Sequence, residues 1–236
     1  MESIQIADGL LWFVAFLFST TFHEAAHAYV AWRGGDETAY RGGQVSLSPL
    51  PHIRREPIGM IVVPLLTALT QGWAIGWAST PYDPRWEARY PRRAALMAAS
   101  GPLGNLIIAV AAFATLKIGL ATGQFVSPAH VSFEHLVDVP EGGAVASALA
   151  GKILSIFLML NVLLFAFNLL PFPPLDGGSA IGLVLPQDAA AAIRGFTRTP
   201  GFSLLGLIFA WRVFPYIASP LFSAVLFVLH PGAVYG

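Results

Sequence analysis

Two histidines with a glutamate between them lie inside an apolar stretch of the chain. His23 and His27 are four residues apart, in the order His-Glu-Ala-Ala-His. On a helix, side chains with this spacing share a face, so both imidazoles can present a ring nitrogen to one metal ion. Glu24 lies beside them, where its carboxylate can accept a proton from a metal-bound water without being a ligand. Because ionisable side chains are costly to hold in hydrocarbon, this placement predicts a functional site.

A third metal ligand must come from elsewhere in the chain, since catalytic zinc usually has three protein ligands and one open position. The sequence has no cysteine, so the ligand must be His, Asp or Glu. Asp176 is the best acidic candidate because it follows an apolar segment, and Gly177 and Gly178 after it allow a sharp turn. Asp-Gly is also a common turn signal, so a plain turn residue is the alternative reading.

Asn168 precedes a proline-rich break, eight residues before Asp176. Its amide could donate a hydrogen bond to the oxyanion or to the substrate backbone. It could instead join neighbouring helices through hydrogen bonds, as could Asn161, which is seven residues earlier on the same helix face. Asn105 can serve either tight helix packing or support of the site. His52 can approach the metal from its loop or remain an interfacial loop residue.

The composition is typical of a membrane protein with several spans. The 236 residues are 56% hydrophobic and 11% charged, with a net charge of zero, and no basic face predicts a nucleic-acid partner. The first apolar stretch is long enough to cross a bilayer and is interpreted as a retained span rather than a signal peptide. The last apolar stretch, residues 201–230, predicts either one span with an interfacial helix or a helical hairpin. The five stretches are residues 9–32, 57–79, 94–116, 153–170 and 201–230.

Arginine-rich connections flank the second apolar stretch on both sides. Residues 33–56 and 80–93 contain four arginines each, whereas 118–151 contains no Lys or Arg. Because positive loops favour the cytosolic side, we expect residues 57–79 to enter the membrane and return on the same side. Pro64 and Gly72 suit such a re-entrant segment. The histidine pair and Asp176 then reach the same depth, toward the cytosolic face of the cell membrane.

These patterns predict an all-α membrane protein, a multi-pass helical bundle with a re-entrant segment and a short β element. The β element is expected at residues 44–48, where polar and apolar side chains alternate. Residues 1–236 are expected to form a single membrane-embedded domain. Its catalytic core would span about residues 9–180, followed by the C-terminal apolar segment 201–230.

Three motifs, in this order, resemble those of the site-2 protease family of intramembrane zinc metalloproteases. They are HExxH at residues 23–27, GPxxN at residues 101–105 and NxxPxxxLDG at residues 168–177. The resemblance covers residues 9–180. It implies one zinc ion per chain, held by His23, His27 and Asp176, with Glu24 as the catalytic base.

The same resemblance implies a substrate and a cellular setting. The substrate would be a transmembrane helix of another protein, cleaved near the cytosolic face of the lipid bilayer. Residues 43–50 look like the family's membrane-associated β element, whose exposed edge would pair with an unwound substrate. The chain looks like a compact member without a PDZ or CBS domain.

Two other functions stay open at this point. One is a metal-ion transporter whose intramembrane His and Asp line a conduction path, and the other is a non-catalytic membrane adaptor. Glu24 discriminates between them and the protease, because only peptide hydrolysis needs its carboxylate as a base.

Overall fold

A computed structural model describes residues 3–186, 189, 201–233 and 235 of the chain. The described residues are mostly helical. A π-helical turn, Ile58–Val62, runs directly into α4, and a 3-10 turn, Ile181–Leu183, follows α8. The helices in chain order are α1 (Ser3–Arg33), α2 (Thr38–Arg41), α3 (Leu50–Arg55), α4 (Val63–Gln71), α5 (Pro84–Arg89), α6 (Pro91–Ala121), α7 (Val145–Asn168), α8 (Gly177–Ala180), α9 (Phe202–Val213) and α10 (Pro215–Leu229).

Three of these helices, α1, α6 and α7, are long and apolar enough to cross a membrane. These helices form from the predicted apolar stretches, and most of their ends lie beyond the predicted ends. α6 packs against both α1 and α7, and its buried face consists largely of Ala and Gly. Small residues at these positions allow the helix backbones to approach closely, which is how membrane helices associate without a hydrophobic driving force.

The second apolar stretch forms a helix followed by an extended return arm, residues 73–80. The helix runs from Ile58 to Gln71 and ends at Gly72, whose positive φ of 78° closes it. The arm then comes back beside the start of the helix, where the Trp77 amide donates to the Gly59 carbonyl at 3.0 Å. Both ends of the segment therefore lie at the same end of the helix. This geometry is the one expected of a re-entrant segment.

The predicted β element is wrong for this structure. Residues 45–47 form bends, and no strand occurs in the described part of the chain. The local polar groups bond to one another instead of to a neighbouring strand. The Ser46 hydroxyl accepts from the Ser48 amide at 3.0 Å, and the Ser46 carbonyl accepts from His52 Nε2 at 3.1 Å. Short polar side chains compete with a β ladder in this way, and the alternating pattern did not reveal that competition.

The C-terminal apolar segment forms two helices, α9 and α10, bent by 46° at a break. Pro215 begins α10 and explains the break, because proline has no amide hydrogen to continue the α9 ladder. A cavity of about 1130 Å³ lies between α1, the return arm, α7 and these two helices. Its lining is largely apolar and includes Trp12, Phe16, Leu160, Phe167 and Trp211.

Candidate metal centre

Three side chains from two distant parts of the chain converge within the helical bundle. His23 and His27 lie on one face of α1, and Asp176 lies in the turn that leads into α8. The Asp176 carboxylate is 3.0 Å from His23 Nε2 and 3.3 Å from His27 Nε2. The two Nε2 atoms are 3.0 Å apart. The potential ligand atoms of all three residues lie within 4.8 Å of one another, as the sequence predicted.

The hydrogen bonds on the far side of each ring decide which nitrogen faces the centre. His27 Nδ1 lies 2.7 Å from the Met97 carbonyl, which can only accept, so Nδ1 carries the hydrogen. His23 Nδ1 lies 2.6 Å from Asn105 Oδ1. The Asn105 amide nitrogen donates to Asn161 Oδ1 at 2.8 Å, which assigns its oxygen to His23. Both Nε2 atoms therefore direct lone pairs into the centre.

This donor set fits a divalent cation. Two imidazole lone pairs and a carboxylate facing one another at about 3 Å repel unless positive charge lies among them. Two His nitrogens and one Asp oxygen also match the ligand types of catalytic zinc sites. Gly101 of α6 keeps the space beside the nitrogens open, because an added Cβ would lie 2.3 Å from His27 Nε2 and 2.5 Å from His23 Nε2.

The turn after α7 brings Asp176 back toward α1 and α6. Gly177 permits this close return, since an added Cβ there would lie 2.3 Å from the Leu169 carbonyl oxygen. A cation beside the Asp176 carboxylate would stabilise its ionised form.

Glu24 is buried next to the histidines and is held from the return arm. Thr80 Oγ1 lies 2.7 Å from Glu24 Oε2. Thr80 was not predicted from the sequence, and no local pattern marks it. The only available signal was its place directly after the predicted re-entrant segment, which has to end near the start of the site.

Four further polar residues were candidates for the site. Asn105 hydrogen-bonds His23, so the structure favours site support over packing alone. Asn161 is fully buried and hydrogen-bonds Asn105 of α6 and Ser19 of α1, so it joins neighbouring helices. Asn168 donates to the Leu164 carbonyl of its own helix at 3.0 Å, so its catalytic role stays a prediction. His52 lies on the short helix α3 rather than in the expected loop; it is buried and is not one of the three converging side chains.

Comparison with known proteins places this arrangement in a family context. Residues 11–195 match the model of peptidase family M50. A Bacillus subtilis (strain 168) protein named "Putative zinc metalloprotease YwhC" is 32% identical over 212 residues, covering 89% of this chain and 85% of its own. No solved structure matches the chain significantly.

Two mycobacterial relatives share a smaller part of their length. "Putative zinc metalloprotease Rip2" of Mycolicibacterium smegmatis is 29% identical over 184 residues, which is 78% of this chain and 61% of that protein. The Rip2 protein of Mycobacterium tuberculosis (strain H37Rv) is 30% identical over 177 residues, covering 75% of this chain and 58% of its own.

Proposed function

The chain belongs to peptidase family M50, the site-2 proteases, and we propose that it is a zinc endopeptidase that cleaves peptide bonds within or near transmembrane segments of other proteins. The observation that carries the proposal is the convergence of His23, His27 and Asp176 beside the buried carboxylate of Glu24. The three converging residues would hold one zinc ion per chain. Zinc there would supply Lewis acidity and lower the pKa of water from about 15.7 to about 7.

The protein's own residues have distinct parts in this reaction. The Glu24 carboxylate takes the proton of the attacking water and later gives it to the leaving amine. Asn168 is proposed to donate its amide to the oxyanion or to the substrate backbone, after releasing its bond to Leu164. Asn105 and the Met97 carbonyl fix the two imidazole rings, so that their Nε2 atoms face the reaction centre.

The membrane setting supports an apolar peptide as the substrate. The three long helices are apolar enough to span a bilayer, and the two histidines of the metal centre lie on one of them. A peptide segment that is itself apolar can enter such surroundings at a lower desolvation cost than a polar, soluble peptide. The proposed partners are therefore transmembrane proteins and the surrounding lipid, and not nucleic acid.

The proposed orientation follows from the arginine-rich connections. The loops at 33–56 and 80–93 would face the cytosol, with the metal centre toward the same side of the cell membrane and residues 57–79 re-entrant. The proposed domain spans residues 1–236, with the catalytic core at residues 9–180 and the apolar segment 201–230 after it.

Zinc analysis combined with a cleavage assay tests the proposal. The substrate is a reporter with one transmembrane helix and an epitope tag at each end. Purified wild-type protein should contain one zinc per chain and cleave the reporter. Glu24→Gln should keep the zinc and lose activity by about 10²- to 10⁴-fold, the usual contribution of a general base.

Glu37→Gln provides the matched control. Glu37 is exposed and forms an ion pair with Arg41 at 2.8 Å, so its variant should cleave at the wild-type rate. Full cleavage by Glu24→Gln would contradict the assignment of the base. Zinc flux through liposomes containing the wild-type protein, without any cleavage, would favour the transporter instead.

A further inference from the structure

Thr80 lies at the end of the return arm and contacts the proposed general base. Its Oγ1 atom is 2.7 Å from Glu24 Oε2 and 3.0 Å from the Glu24 backbone carbonyl. We propose that Thr80 is a positioning residue, which holds the Glu24 carboxylate in the orientation that proton abstraction needs. The inference rests on the proposed function and adds a residue to its machinery.

A hydroxyl has one hydrogen, so only one of the two oxygen atoms of Glu24 can receive it at a time. The backbone carbonyl lies in the interior of α1, where it already accepts the amide four residues later. The carboxylate has no such partner from the helix. Hydrogen bonds to ionised acceptors are also shorter and stronger than bonds to neutral ones. The hydrogen therefore goes to Glu24 Oε2, at the shorter of the two distances.

This bond leaves the two carboxylate oxygens of Glu24 in different situations. Oε2 is occupied by the Thr80 hydroxyl, whereas Oε1 has no hydrogen-bond donor within the described part of the chain. Oε1 is then the oxygen available to the attacking water. Because a glutamate side chain otherwise samples several rotamers, fixing one oxygen restricts the direction in which the other can point.

The return arm is held firmly enough to act as a support for this hydroxyl. The Trp77 amide bonds the Gly59 carbonyl, and Ser79 Oγ donates to Glu56 Oε1 at 2.6 Å, directly beside Thr80. Gly76 lies so close to Gly59 that an added Cβ would be 2.2 Å from the Gly59 carbonyl oxygen. Thr80 thus extends from a packed segment, and its hydroxyl has a defined position relative to α1.

Replacement of Thr80 tests the inference through kcat and KM for the single-span reporter. Thr80→Val keeps the shape of the side chain and removes the hydroxyl. We expect kcat to fall by about tenfold to about a hundredfold, the range expected for one hydrogen bond to a charged group. KM and zinc content should stay at wild-type values. Thr80→Ser keeps the hydroxyl and should restore most of kcat.

Thr67→Val is the matched control on the same segment. The Thr67 hydroxyl accepts from the Ile75 amide at 2.9 Å and so fastens the return arm to α4, without touching Glu24. Loss of this hydroxyl should lower the midpoint of thermal unfolding, while kcat should fall less than in Thr80→Val. An equal fall of kcat in Thr67→Val and Thr80→Val would assign the effect to the arm's stability and overturn the proposal. A normal kcat in Thr80→Val would overturn it as well.

A stability measurement separates this inference from the peptidase proposal. Thr80→Val should lower the midpoint of thermal unfolding in the wild-type protein and lower it less in Glu24→Ala, where the acceptor is absent. Equal shifts in both backgrounds would show that the hydroxyl does not bind the carboxylate. If the wild-type protein cleaves nothing, the peptidase proposal fails, while this cycle still decides whether the Thr80–Glu24 bond exists.

Discussion

Gly101 determines how much room lies beside the two imidazole nitrogens of the metal centre. An added methyl group would lie 2.3 Å from His27 Nε2, well inside contact distance. Since α6 packs directly on α1, the helix backbone cannot move away at low cost. We expect Gly101→Ala to bind little or no zinc and to lose cleavage, measured by metal analysis of the purified protein and by the reporter assay.

Gly104→Ala, one turn further along α6, controls for the general effect of alanine in this helix. Its added Cβ would lie 3.1 Å from a ring carbon of Phe22, whose side chain can shift by a few tenths of an ångström. Zinc content should remain at the wild-type level. Loss of zinc in both variants would show that helix packing, and not the space at the nitrogens, limits metal binding.

Asp176→Ala removes the one carboxylate among the three converging side chains. Two histidines alone leave a catalytic zinc site a ligand short, so we expect the purified variant to lose stoichiometric zinc while it still folds. Metal analysis and the circular dichroism spectrum measure the two parts of this expectation. Full retention of zinc by a folded variant would exclude Asp176 as a ligand.

At the residue scale, the sequence predicted what depends on local spacing. His23 and His27 share a helix face because of their separation, and Asp176 was the acidic residue that the topology brought to the same depth. Thr80 and Asn161 were not predicted as parts of the site, since each acts through a residue far away in the chain. Such long-range partners follow from helix packing, which a single sequence does not specify.

At the scale of elements, a network of buried side chains joins the three long helices behind His23. Asn105 of α6 bonds His23 of α1 and Asn161 of α7, and Asn161 donates in turn to the Ser19 hydroxyl of α1 at 2.9 Å. All of these side chains are at least nine-tenths buried, so each polar group depends on its partners. The helices thus fix the orientation of His23 jointly.

Asn105→Leu breaks this network at the residue that contacts the ring. His23 Nδ1 would lose its acceptor. Hydrogen-bond partners of metal-binding histidines typically contribute about 10- to 100-fold to metal affinity. Competition with a zinc chelator should therefore give an affinity about 10- to 100-fold weaker than that of the wild-type protein.

Asn168→Leu is the control for Asn105→Leu, and it also tests the proposed role of Asn168 itself. Its bond to Leu164 lies within α7, so zinc affinity should not change. If Asn168 binds the oxyanion as proposed, cleavage should nevertheless fall by about 10²- to 10³-fold. Unchanged cleavage would remove Asn168 from the mechanism.

The elements themselves were predicted unevenly. Long apolar runs determine helices reliably, and α1, α6 and α7 all arise from predicted stretches. The alternating pattern at residues 44–48 did not give a strand, because a strand needs a partner and these polar groups bond locally. For the last apolar stretch the sequence left one span with an interfacial helix or a helical hairpin open, and the stretch forms two helices bent by 46°, an angle that depends on packing.

At the scale of the whole molecule, the helix-and-return geometry of residues 58–80 places two arginine-rich connections at the same end of the structure. The chain has no native cysteine, so single cysteines can report the side of the membrane. Ser48→Cys and Ala88→Cys should react with a membrane-impermeant maleimide from the cytosolic side, and Ala129→Cys from the opposite side. All three positions are exposed. Labelling of positions 48 and 88 from opposite sides would contradict the re-entrant segment.

The return arm also bears on how a hydrolase embedded in lipid obtains water. Extended backbone cannot satisfy its own amides and carbonyls as a helix does, and hydrocarbon offers them no partners. The Thr67 hydroxyl and the Gly59 carbonyl bind the amides of Ile75 and Trp77, and Gln44 Nε2 donates to the Ser79 carbonyl, while the other polar backbone groups need further partners such as water. We expect water that reaches this arm to arrive beside Thr80 and Glu24. The non-helical segment that orients the proposed base would then also admit the second reactant of hydrolysis.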